Sequence, residues 1–108
     1  KLREDGTIGE IGQKPKSLNE IEGQYMGLMK FSANGVKQIK EIFNSAIKDK
    51  KVLGKEVENA YMTDLLQAVI NSERQITAVP IFGEWIEIDT VNDLELPVTR
   101  DRLYLTEI

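Results

Sequence analysis

Apolar residues follow three different rhythms along this chain, and each predicts an element. Val36, Ile39, Phe43, Ala46 and Ile47 recur at helical spacing, with Lys37, Lys40, Glu41 and Lys48 around the other face. This predicts an amphipathic helix over 33–50, with Ser32 or Asn34 as its N-cap. Gly54 breaks the pattern. A second helical region over 56–72 is carried by Leu65, Leu66, Val69 and Ile70. Thr63 and Asp64 fall in its middle, and both residue types prefer caps, so a break or a fresh helix start is expected there.

Residues 23–32 are almost continuously apolar, which predicts a strand buried on both faces. Gly27 inside it marks a close approach of backbone or ligand. Residues 75–82 read as a strand that meets Pro80 near its end, hence an edge or a bulge. Gly83–Thr90 alternates strictly after a turn at Gly83-Glu84. Ile86, Ile88 and Thr90 fall on one side of an extended strand and Trp85, Glu87 and Asp89 on the other. Thr90 with Asp93 forms a capping-box start for a short helix over Val91–Leu96, stopped by Pro97. Residues 99–108 add a last helical turn or two. At the front, residues 1–13 read as a hairpin about the type I′ signal Asp5-Gly6, and 13–22 as a polar connection around Pro15. The order is hairpin, strand, helix, helix, strand, strand, short helix. That is an α/β arrangement with a partial mixed sheet and flanking helices, within one domain spanning 1–108.

Composition narrows the chemistry. The net charge of −4 disfavours a nucleic-acid partner, since backbone binding needs a basic surface. The run Lys48–Lys51 suits a solvated helix end. No apolar run approaches the ~20 residues that span a bilayer, so no membrane partner is expected. The chain has no Cys and no His. Thiol chemistry, the usual zinc sites and an imidazole base are therefore unavailable, leaving carboxylates, lysines, hydroxyls and a hard metal. Absent cysteines fit a reducing compartment, and a cytoplasmic location is expected.

Glu87 and Asp89, two positions apart on one strand face, stand roughly 6–7 Å apart at Cα. Such a pair can converge on Mg²⁺, which takes oxygen ligands and keeps water or phosphate in its other positions. The same pattern also describes an acidic strand face turned to water. Lys14 reads as a solvated loop lysine when taken alone. Tyr61 and Asp64 either face a pocket or serve the helix start.

Three stretches together resemble the C-terminal half of the sugar-phosphate nucleotidyltransferase superfamily, and within it the phosphocholine and phosphonate cytidylyltransferases. They are IEGQYMGLMKFS (21–32), YMTDLLQAVI (61–70) and ITAVPIFGEWIEIDTVNDLE (76–95). The most specific is W-x-E-I-D-T-x-x-D-L. The hairpin followed by Gln13-Lys14-Pro15 is similar to the superfamily's E-K-P motif, with Gln in place of Glu. The family's Gly-rich loop, L-A-A-G-x-G-x-R, and its first metal-binding Asp belong to an N-terminal half that has no counterpart in these residues.

The resemblance implies a Rossmann-like nucleotidyltransferase fold and a metal-assisted transfer of CMP from CTP to a phosphate or phosphonate acceptor, with release of pyrophosphate. On that basis Glu87 and Asp89 match the Mg²⁺ ligands, and Lys14 the lysine that contacts the acceptor phosphate. Tyr25, Tyr61, Asp64 and Trp85 are where the acceptor's head group would be read. An aromatic beside a carboxylate would suit a cationic head group such as choline or aminoethyl, while simple packing explains Trp85 equally well. By this reading the 108 residues alone are inactive, and associate with a second copy or with the N-terminal half. The alternative is a non-catalytic binding or subunit-assembly module of α/β type.

Overall fold

A computed structural model describes residues 1–83 and 85–106. Among them are four α-helices and one two-stranded antiparallel sheet: α1 (Ala33–Asp49), β1 (Lys51–Val52), β2 (Lys55–Glu56), α2 (Met62–Asn71), α3 (Val91–Glu95) and α4 (Pro97–Thr106). Helices and strands are mixed, as an α/β chain requires, but the larger mixed sheet is not formed among the described residues.

Helix α1 starts where Ser32 Oγ accepts the Gly35 N–H at 3.0 Å, which settles the N-cap between Ser32 and Asn34. It ends at Lys50, whose φ of 57° turns the chain out of the helix while its N–H bonds the carbonyls of Ala46 and Ile47. Strands β1 and β2 follow at once, pairing Lys51 with Glu56 and Val52 with Lys55. Leu53 and Gly54 fill the two-residue turn with φ of 50° and 76°. Positive φ at both central positions is the type I′ geometry that matches strand twist. The sequence pattern shows Gly54 as a break, whereas it is the second half of this turn. A Lys51–Glu56 ion pair at 2.8 Å spans the strands.

The core is small: Ala46 from α1, Val52 from β1, and Leu66, Val69 and Ile70 from α2 are buried. Of the predicted α1 stripe, Val36, Phe43 and Ile47 are exposed, because the face that meets the rest of the core is centred on Ala46 with Ile39 and Ile42 beside it.

The N-terminal hairpin forms by a different turn from the one expected. Gly6 N–H bonds the Arg3 carbonyl at 3.1 Å and Arg3 N–H the Thr7 carbonyl at 2.8 Å. Asp5 does not share the positive φ of Gly6 (83°), so the loop is a three-residue turn closed by a glycine bulge. Asp5 Oδ1 accepts from Thr7 N–H (3.0 Å) and Thr7 Oγ1–H (2.6 Å), fixing the turn. The hairpin's second arm then meets the predicted strand 75–82: Thr7 and Thr77 form an antiparallel bridge, with Ile8 N–H on the Ile76 carbonyl at 2.8 Å.

That bridge is all the ladder that 75–82 makes among the described residues. The predicted strands 23–32 and 83–90 are likewise not strands: their described backbone makes no ladder. All ten residues of 23–32 are exposed, where the apolar run predicted burial on both faces. A strand's burial is conferred by neighbouring strands and covering helices, and this segment joins no ladder among the described residues. Glu84 and the last two residues of the predicted C-terminal turns lie outside the described residues.

Thr90 opens α3 through reciprocal bonds with Asp93, at 3.2 Å and 3.0 Å. Leu96 is extended, as a residue before proline tends to be, and Pro97 then begins α4 at the one helical position where its missing N–H costs nothing. The stop at Pro97 is thus also a start. The accessible surface is 8895 Å², against about 6100 Å² for a compact monomer of this mass. The radius of gyration is 16.5 Å, against about 13 Å for a compact domain of this length.

Candidate functional site

The sequence-predicted residues gather in three places, and helix α2 organises two of them. On its row Thr63–Gln67–Asn71, spaced by four, Thr63 and Gln67 meet the chain segment 9–12 and Asn71 holds Gln67. Gln67 is buried; its Oε1 accepts the Ile11 N–H at 2.8 Å and its Nε2 donates to the Gly9 carbonyl at 3.2 Å and to Asn71 Oδ1 at 3.0 Å. Gly12 lies directly on Thr63. It has φ of 74°, and a Cβ there would come within 2.6 Å of Thr63 Cβ and Oγ1. The segment clamped in this way runs on into Gln13-Lys14-Pro15.

There it forms one wall of a cleft of ≈ 450 Å³. Gly12, Gln13, Lys14 and Pro15 line it together with Gly23, Gln24, Tyr25, Lys1 and Glu10. Lys14 and Tyr25 therefore share a cleft although eleven positions separate them. Gln24 extends the site: its Nε2 donates to Glu87 Oε2 at 3.0 Å. The Tyr25 hydroxyl approaches Met29 Sδ at 3.5 Å. Lys1 and Glu10 form an ion pair at 3.1 Å that holds the Lys1 ammonium above its usual value.

The second group sits at the start of α2. Asp64 is buried, accepts the Tyr61 N–H at 2.8 Å through Oδ2, and binds Lys55 Nζ at 3.0 and 3.1 Å. The Tyr61 N–H bond first, and then Lys55, hold its carboxyl below the usual carboxylate range, against the opposing effect of burial. This is the fresh helix start that Thr63 and Asp64 announced in the sequence. Tyr61 is 73% exposed, and Lys55 Nζ lies 5.7 Å from the centre of its ring.

Trp85 makes the third group. Arg102 from α4 donates through Nη1 to the Trp85 carbonyl at 2.6 Å, and its guanidinium lies 5.7 Å from the indole centre. Asp89 is exposed, and its N–H donates to Asp93 Oδ2 at 3.0 Å, joining the cap of α3. That bond is the first cause of the depressed Asp93 carboxyl. Glu87 and Asp89 present oxygen donors of the type Mg²⁺ takes, and Mg²⁺ needs no more than one or two carboxylates when phosphates supply the rest. Among the described residues no cluster of three or more such ligands occurs.

Lys55, Arg102, Gln24 and Gln67 were not singled out by the sequence. Gln67 had a readable signal, a polar residue at four-residue spacing from Thr63 and Asn71 on a helix whose neighbouring positions are apolar. Lys55 and Arg102 gave no such signal, because a lysine in a turn and an arginine in a charged helix look solvated.

The relatives of the chain include a cytidylyltransferase. It is similar to CTP:phosphoglutamine cytidylyltransferase of Campylobacter jejuni, with 38% identity over 96 residues covering 89% of the chain. The chain spans 38% of that protein's length. No family model and no solved structure matches the chain. No helix among the described residues is long and apolar enough to cross a membrane.

Proposed function

We propose that these residues form the acceptor and metal side of a cytidylyltransferase, in the manner of the C-terminal half of a Rossmann-like nucleotidyltransferase fold. The reaction is transfer of CMP from CTP to a phosphate or phosphonate oxygen of a small acceptor. That oxygen forms a bond to the α-phosphorus, the bond to the bridging oxygen breaks, and pyrophosphate leaves with its electron pair. The observation that carries the reading is the identity with a cytidylyltransferase over 89% of the chain. The cleft supports it, since Lys14 and Tyr25 line it and Gln24 ties it to Glu87.

Such a transfer depends on positioning and charge neutralisation more than on covalent catalysis. Lys14 supplies a point charge for the acceptor phosphate. Gln24 fixes the Glu87 carboxylate by its amide. Glu87 and Asp89 would hold Mg²⁺, which when bound neutralises charge on phosphate oxygens. Tyr25 lines the cleft beside Lys14, and by the resemblance Tyr61, Asp64 and Trp85 would read the acceptor's far end. The test is pyrophosphate release from CTP by the full-length protein, with and without a phosphorylated acceptor. Release that needs both acceptor and Mg²⁺ supports the reading; release of inorganic phosphate instead of pyrophosphate overturns it.

A further inference from the structure

The start of α1 carries a reactive pair that the transfer chemistry does not use. Asn34 is followed by Gly35, the only Asn-Gly step in the sequence. A main-chain nitrogen that follows an asparagine can attack its side-chain carbonyl carbon. Glycine has no Cβ, so it leaves that nitrogen unscreened and its backbone free to turn. Asn34 is exposed and lines a polar cavity of ≈ 460 Å³ with Glu73 and Arg74. The folded backbone withholds the reaction. Asn34 and Gly35 are the second and third residues of α1, where helical ψ keeps the Gly35 nitrogen off the line of attack on Asn34 Cγ. The Gly35 N–H is also engaged, donating to Ser32 Oγ at 3.0 Å in the cap that fixes this turn. The protection is thin, because glycine is a poor helix former, the first turn contains no carboxylate to complement the dipole, and chain segments at helix ends open first.

We propose that Asn34 is a modification site of this chain: its side-chain amide is hydrolysed through a ring closed with Gly35, at a rate set by opening of the first turn of α1 and held down by the Ser32 cap. When the turn opens, the Gly35 nitrogen bonds to Asn34 Cγ, the Cγ–Nδ2 bond breaks, and the proton given up by Gly35 leaves with the amine as ammonia. The cyclic imide then takes up water. Breaking the bond from nitrogen to Cγ gives an aspartate at position 34. Breaking the bond from nitrogen to the main-chain carbonyl carbon gives an isoaspartate, with the backbone routed through the side chain. Either product makes the net charge of −4 more negative by one carboxylate. The aspartate suits α1, since a carboxylate in the first turn complements the helix dipole, while the charges of Arg74 and Glu73 on the same cavity oppose each other. The isoaspartate adds a backbone methylene within the turn that Val36 N–H closes on the Ser32 carbonyl at 2.9 Å, so that product keeps the turn open. None of these residues takes part in the proposed transfer.

The test needs no turnover. The full-length protein is incubated in mildly alkaline buffer, which speeds loss of the Gly35 proton, and the peptide containing position 34 is followed by mass spectrometry, with chromatography resolving aspartate from isoaspartate. A parallel sample in urea reports the unprotected rate. Asn34 should convert at least about tenfold more slowly in the folded protein than in urea, the protection of a turn that is mostly closed. Ser32→Ala should convert about fivefold faster than the parent, the size of one N-cap, and Ser32→Thr, which keeps a capping hydroxyl, should stay near the parental rate. Gly35→Ala should slow conversion even in urea, because its methyl screens the attacking nitrogen. Equal rates in the folded protein and in urea overturn the proposal, as does the absence of conversion at Asn34 in urea. An unchanged rate in Ser32→Ala, with α1 retained by circular dichroism, also overturns it. If Ser32→Ala does not fold, the ratio of the parental rates decides, since it needs no variant.

Discussion

Replacing Gly12 with alanine tests how helix α2 holds the cleft wall. Two costs add at this position. Gly12 has φ of 74°, and a non-glycine residue in the left-handed region costs about 1–2 kcal/mol. The new methyl would also lie 2.6 Å from Thr63 Cβ and Oγ1. Thr63 Cβ is fixed to the helix backbone and cannot rotate away, so the segment must lift, at the roughly 1–3 kcal/mol typical of overpacking. The expected loss is about 2–5 kcal/mol, a large part of the stability of a small domain. Urea unfolding followed by circular dichroism measures it. Hydrogen exchange at the Ile11 amide, bonded to Gln67 Oε1 at 2.8 Å, detects a segment that lifts without global unfolding. The Thr63→Gly background separates the two costs. Without the Thr63 Cβ, Gly12→Ala should cost only the backbone part, so the pair should couple by about 1–3 kcal/mol. Equal costs in both backgrounds, or a Gly12→Ala protein with parental stability and Ile11 protection, would refute the contact.

Asp64 carries a pH signature. Its carboxyl is held below the usual range in the folded chain, so between that value and the unfolded value of ~3.9 the unfolded chain binds the extra proton. Its stabilising contribution is complete above the unfolded value and disappears as the pH falls through the folded one. Asp64→Asn should therefore flatten the acid limb of stability against pH, and an unchanged limb would show that the carboxylate does not bear on folding. Lys14→Ala in the full-length protein should raise the acceptor KM or lower kcat while CTP binding stays intact; equal loss of CTP binding would move Lys14 off the acceptor. The 108 residues alone should associate in light scattering, because Leu28, Val79 and Phe82 are each more than four-fifths exposed, and they should not turn over CTP. A monomer with CTP turnover would contradict both expectations.

Legibility in the sequence followed the range of the forces involved. Helix α1, its cap to within Ser32 or Asn34, the start of α2 near Thr63 and Asp64, and the Thr90–Asp93 box were all readable, because helices are specified by neighbours three and four positions apart. The strands were less so. The run 23–32 and the alternation 85–90 describe what a strand would look like once partners cover it, and no ladder forms there among the described residues. The Leu53-Gly54 turn was hidden by leucine, a residue rarely found at positive φ. Around the site, Lys14 and Tyr25 meet in one cleft through the clamp of segment 9–12 on Gln67, a contact across more than fifty positions. Periodicity carries no record of such a contact. The polarity of Gln67 on a buried helix was its one local trace.

The central claim concerns which phosphorus atom is transferred and which residues govern the transfer. The direct measurement supplies the full-length protein with Mg²⁺, a phosphorylated acceptor and CTP labelled at the α-phosphorus, or in a parallel reaction at the γ-phosphorus. Each is repeated with Asp89→Asn. The account predicts that the α-label appears in the acceptor product and the γ-label in pyrophosphate. It also predicts that Asp89→Asn cuts turnover at least tenfold while the unfolding midpoint stays near that of the parent. Transfer of the γ-label to the acceptor, or an Asp89→Asn protein that loses stability and turnover together, would contradict it.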